Sequence, residues 1–209
     1  MAKLFLYSLA INTQQCLVLN TFVQKNPEDI HIGIIENAAD IIPNAKEWLG
    51  GFIDMLIQNG YHLEPIDLKN YLHSNKGLEE RLNGLDLIWM GGGHTYYLNW
   101  ILQKTGADVI IKNLVKQGLP FAGWSAGAII AGPTTLFFDQ MKEHPAEVPE
   151  KINIGLCLTQ KVIVPHIDHA YFSKTALKTN RLLMQKGFET VMLRDNQVWV
   201  VDGTKEWII

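Results

Sequence analysis

Short apolar runs rich in β-branched residues alternate along this chain with stretches whose apolar positions recur every three to four residues. That alternation predicts strands linked by helices, and so a largely parallel sheet covered on both faces. Residues 3–7 read as a first strand and the Ile-rich stretch 30–35 as a second. Pro43 stands where a helix opens, because a first-turn residue has no N–H bond to lose. Trp48, Phe52, Met55 and Leu56 then fall on one helical face, and Asn59-Gly60 ends the helix. Further strands are predicted at 61–66 and 85–90, with helices near 96–104 and 108–117. A buried strand over 119–122 leads towards Ser125, and a helix opens at Ala126. The polar segment 139–151, with its two prolines, predicts a surface excursion. A strand at 161–164, a helix near 172–186 and closing strands at 190–193 and 198–201 complete the pattern.

The 209 residues suit a single α/β domain over the whole chain, and no repeat or linker interrupts them. With 47% hydrophobic and 19% charged residues the balance is that of a globular protein. A formal charge of −3, without any long basic run, argues against nucleic acid or an anionic membrane as partner. Cys16 and Cys157 lack metal-ligand or disulfide spacing, and each reads as a small buried hydrophobe. The N-terminal apolar run is too short for a signal peptide and reads as the first strand. The expected location is cytoplasmic.

Within this pattern Gly123-Trp124-Ser125-Ala126-Gly127 has the form of a nucleophile elbow, a serine on a sharp strand-to-helix turn. Flanking glycines keep Cβ atoms out of the turn, and the helix start offers N–H groups to a developing oxyanion. A serine hydroxyl needs a base, most often histidine held by a carboxylate. His31, His62 and His73 sit in early strands or on helical surface, and His144 in the polar excursion. His166 follows a strand at Pro165, which predicts a position at the sheet edge that carries Ser125; His169 is the fallback. Gly91-Gly92-Gly93-His94-Thr95 also follows a strand. It lacks the phosphate-loop ending, and the N–H of Gly92 or Gly93 is expected to join that of Ala126 as an oxyanion hole. Asp139 and Asp195 are rival third members of a triad, and the residues alone do not choose between them.

These four motifs, Gly91-Gly92-Gly93-His94-Thr95, Gly123-Trp124-Ser125-Ala126-Gly127-Ala128, Asp139-Gln140-Met141 and Pro165-His166, together resemble the aspartyl dipeptidase (dipeptidase E) family of serine peptidases, relatives of the cyanophycinases. The resemblance implies a three-layer α/β sandwich like that of class I glutamine amidotransferases, with serine in place of their cysteine. It also implies hydrolysis of short peptides, typically dipeptides with N-terminal aspartate, without metal or cofactor. Ser125 would be the nucleophile and His166 the base, and both Asp139 and Asp195 have counterparts. Three departures stand out. His94 and Ile129 replace residues that are commonly Asn, and the helix after the histidine has Lys174 and Lys178 where arginines are usual, with Arg181 further on. The hydrolytic residues are in place, while the aspartate preference is a separate question. The expected activity is therefore that of a serine peptidase on dipeptides or very short peptides. An esterase or amidase on the same scaffold, or an inactive small-molecule-binding homologue, are the alternatives.

Overall fold

The computed structural model describes residues 2–141 and 147–209, with the side chains of residues 46–48 excepted. His144 and the Trp48 side chain therefore lie outside the described residues. The strands β1 (Lys3–Tyr7), β2 (His31–Ile35), β3 (His62–Pro65), β4 (Leu87–Met90), β5 (Phe121–Trp124), β8 (Val198–Asp202) and β9 (Lys205–Ile208) form one sheet in the order β3-β2-β4-β5-β1-β8-β9. The first five are mutually parallel, and β8 and β9 are added antiparallel at one side.

The central strands alternate between two cores, as strands covered on both faces must. In β1, Leu4 and Leu6 enter one apolar cluster, and Phe5 and Tyr7 the other. In β4, Ile88 and Met90 face the first cluster, and Leu87 and Trp89 the second. Helices α1 (Thr13–Val23) and α2 (Lys46–Gln58) cover the second face through Cys16, Leu19, Phe22 and Leu56. Helices α3 (Leu78–Asn83), α4 (Thr95–Thr105), α5 (Ala107–Gln117) and α6 (Ala126–Ala131) cover the first. The three-layer architecture predicted by the pattern is the one found.

Several local expectations are corrected. Strands β6 (Val162–Val164) and β7 (Thr190–Met192) pair only with each other, as a separate two-stranded parallel sheet, and do not extend the main one. Val162 and Val164 of β6 pack with Ile129, Phe138, Ala176 and Leu183 in a third cluster, so helix α7 (Ser173–Gln185) and α6 support that strand instead. Pro43 precedes the helix rather than opening it, since α2 begins at Lys46. Cys157 is exposed whereas Cys16 is buried. Helix α1 and strand β9 carry no prediction in the apolar pattern. Helix α1 does carry a capping box: Asn12 Oδ1 accepts the Gln15 N–H and Gln15 Oε1 accepts the Asn12 N–H, both at 3.0 Å. No helix among the described residues is long and apolar enough to cross a membrane.

Candidate active site

Strand β5 ends at Trp124 and α6 begins at Ala126, so the whole turn falls on Ser125. The serine has φ 47° and ψ −106°, a conformation few side-chain-bearing residues adopt. The neighbours show why the motif has glycine on either side. A Cβ at Gly123 would stand 2.5 Å from the Gly127 carbonyl oxygen, and one at Gly127 would stand 2.2 Å from that of Met90. The Ser125 N–H donates to the Tyr7 carbonyl at 3.1 Å, tying the elbow to β1.

The glycine loop that follows β4 lies against this turn. A Cβ at Gly92 would be 3.3 Å from that of Ser125 and 3.1 Å from the Trp124 ring. Gly93, at φ +140°, passes so close to Ala38 that a Cβ would meet its carbonyl oxygen at 2.3 Å. The His94 N–H then donates to the same oxygen at 2.7 Å, pinning the loop. The His94 ring caps α4, its Nδ1 accepting the Tyr97 N–H at 3.2 Å. Ala126, as the first residue of α6, has an N–H without an acceptor inside the helix.

The C-terminal end of β6 delivers His166 to the elbow from a different sheet. The imidazole Nε2 is 2.9 Å from Ser125 Oγ, and Nδ1 is 2.7 Å from Asp195 Oδ1. With a carboxylate at Nδ1, that nitrogen carries the proton and Nε2 presents its lone pair to the serine hydroxyl. Burial pulls His166 below the usual value of 6.5, although Asp195 acts in the raising direction. Phe172 packs on the ring with centroids 5.4 Å apart. His169 lies beside His166, 5.8 Å between centroids, and its Nδ1 accepts the Tyr171 N–H instead.

Of the two rival carboxylates, Asp195 is the one brought to His166. Asp139 sits in a short 3-10 turn, Phe138–Met141, where its Oδ1 accepts the Tyr96 hydroxyl at 3.3 Å and lies 3.9 Å from Lys151 Nζ.

Sequence reasoning missed Ser8, which is fully buried at the end of β1. Its Oγ accepts the His166 backbone N–H at 2.8 Å and donates to Asp195 Oδ1 at 3.1 Å. The same segment holds the turn that carries Asp195. Leu9 and Ala10 donate their N–H groups to the Asp195 carbonyl at 3.2 and 3.0 Å, and Gln15 Nε2 donates to the Asn196 carbonyl at 2.8 Å. The Asn12/Gln15 capping signature could have located the helix, but nothing local links Ser8 to residues more than 150 positions away.

The model of peptidase family S51 matches residues 38–209. The chain belongs to peptidase family S51. Within the family it is 31% identical over 121 residues to an uncharacterized peptidase of Listeria innocua, covering 54% of this chain and 57% of that protein. It is 32% identical over 112 residues to peptidase E of Nostoc sp., covering 53% and 42%. These matches span about half the length of the curated relatives. A crystal structure of a candidate peptidase E protein from Listeria monocytogenes superposes over 100% of this chain and 98% of that one, with TM-score 0.84 and 21% identity. That of a peptidase from an acI-B1 Actinobacterium covers 100% and 87%, with TM-score 0.72 and 16% identity. At such identities these two establish the shared fold.

In this S51 chain the serine, the histidine and the glycine loop open onto one cavity of about 760 Å³. Gly92, Gly93, Ser125 and His166 lie in its wall. No group of three or more potential metal ligands occurs among the described residues.

Proposed function

We propose that this protein is a serine peptidase of dipeptides or other very short peptides. Ser125 Oγ attacks the carbonyl carbon after the first residue while His166 Nε2 takes the hydroxyl proton. Asp195 accepts the Nδ1–H and balances the imidazolium that forms. The carbonyl oxygen, now anionic, accepts from the N–H of Ala126 and of Gly92 or Gly93. Collapse breaks the C–N bond, and His166 hands its proton to the departing amine. Water then attacks the acyl-enzyme, giving its proton to Nε2, and Ser125 recovers the proton as the acid leaves.

The observation that carries this reading is the chain of contacts Ser125 Oγ to His166 Nε2 at 2.9 Å and His166 Nδ1 to Asp195 at 2.7 Å, beside a strained elbow. Membership of a peptidase family supports the choice of a peptide bond. The test is hydrolysis of a dipeptide library by the native chain and by Ser125→Ala. Activity should fall by about 10⁴-fold or more in the mutant, as when a triad nucleophile is removed. Equal turnover by both would remove Ser125 from the mechanism.

A further inference from the structure

The chemistry of the cavity beside Ser125 goes beyond the hydrolytic machinery. Ile41, Ile42, Pro43, Trp124, Ile129 and Phe172 contribute apolar wall. Ile129 sits one turn into α6, its N–H donating to the Ser125 carbonyl at 2.9 Å, so apolar surface begins next to the nucleophile. Among the described residues that line the cavity, no lysine or arginine occurs, and Glu147 is the one carboxylate.

Glu147 faces the buried His94 ring. The Nδ1 of His94 accepts the Tyr97 N–H, which leaves the ring hydrogen on Nε2, 3.4 Å from the Glu147 carboxylate. His94 itself is only 5% exposed, so its orientation is fixed by packing and by the helix cap. No fixed cation competes there, among the described residues, with a positively charged ligand. His94 and Ile129 are also two of the positions at which the sequence departs from the pattern of the family it resembles.

In a dipeptide the α-ammonium and the first side chain hang from the same carbon, next to the bond that is cut. A site adjacent to Ser125 must therefore receive both at once. We propose that this cavity selects peptides whose N-terminal residue is apolar, with the apolar wall taking the side chain and Glu147 the free α-ammonium. The proposal rests on the peptidase reading above and gives it a substrate class. An N-terminal aspartate would bring a carboxylate into an apolar wall that offers no cation among its described residues, and beside a like charge, which is costly. A leucine-sized side chain gains affinity on the order of 10- to 100-fold from the same burial.

The experiment compares kcat/KM for Leu-Ala, Phe-Ala, Asp-Ala and N-acetyl-Leu-Ala, with a serine-directed phosphonate labelling Ser125 in parallel. Leu-Ala should exceed Asp-Ala by about 100-fold or more. Glu147→Gln, at a half-exposed side chain, should cut the preference for Leu-Ala over N-acetyl-Leu-Ala by about tenfold, chiefly through KM. Ile129→Arg, if folded by its thermal transition, should narrow the Leu-to-Asp ratio. Asp-Ala cleaved as fast as Leu-Ala, or a Glu147→Gln enzyme with unchanged preference for the free amine, would overturn the substrate class. If Ser125 were labelled in either of those cases, the peptidase reading would survive. Absence of labelling would overturn the peptidase reading, and the substrate class with it.

Discussion

The two halves of the proposed triad are positioned by opposite means. Ser125 stands on the seven-stranded sheet, in a five-residue turn whose own backbone sets its geometry. His166 stands at the end of a two-stranded sheet and is located by partners distant in sequence: Ser8 from β1 and Asp195 from the turn after β7. The serine is thus fixed by steric exclusion, with Met90 and Gly127 carbonyls leaving no room for Cβ atoms. The histidine is fixed by a hydrogen bond to Asp195, which follows the neighbouring strand of its own sheet, and by Ser8, whose bonds cross from the main sheet. Substitutions at the glycines of the first half should damage folding, and those in the second half should damage catalysis first.

The largest effect tests the second half. Asp195→Asn should lower kcat by about 10⁴-fold, because an amide stabilises the wrong imidazole tautomer. Asp139→Asn, whose carboxylate meets Tyr96, Gln140 and a distant Lys151, should stay within about threefold of native. Reversal of that order would return Asp139 to the triad.

Next comes the elbow. Gly127→Ala forces a Cβ to 2.2 Å from the Met90 carbonyl oxygen, a backbone collision that no rotamer relieves. It should destabilise the fold by about 3 kcal/mol and lower Tm by roughly 6–12 °C. An unchanged Tm in calorimetry would mean that the turn is less constrained than its contacts imply.

Ser8→Ala sharpens the contrast at a smaller scale. It removes one buried hydroxyl that links the His166 backbone to Asp195. The expected outcome is a drop of about tenfold in kcat with little change in KM. A shift in KM alone would assign Ser8 to substrate binding rather than to positioning the base.

The mildest prediction concerns pH. His166 must be neutral to act as base, and burial holds it below 6.5. The acid limb of kcat/KM should therefore have its midpoint under 6.5, falling about tenfold per pH unit beyond it. Stability follows the same sign. Between the lowered folded value and 6.5 the unfolded chain binds a proton that the folded one does not, so this histidine's contribution declines as pH falls through that window. A midpoint above 6.5 would mean that the Asp195 interaction outweighs burial.

Much of this site was legible in the chain. The elbow and the glycine loop are contiguous, and their residue types answer to backbone geometry within a few positions. Strand periodicity located β1, β4 and β5 because they are covered on both faces and so carry unbroken apolar runs. Helix α1 was less visible: its apolar positions include Leu17, which is 49% exposed, so its stripe is blurred, and only the cap marks it.

What the sequence determined by itself was the α/β sandwich, the serine at its turn and the histidine after its strand. Each follows from short-range rules of sterics, periodicity and hydrogen bonding along the backbone. Only the tertiary structure decided that β6 and β7 form their own sheet, that Asp195 rather than Asp139 reaches His166, and that Ser8 joins them. Those outcomes depend on which chain segments pack together, and side chains brought within 3 Å by docking leave no local signature of their meeting.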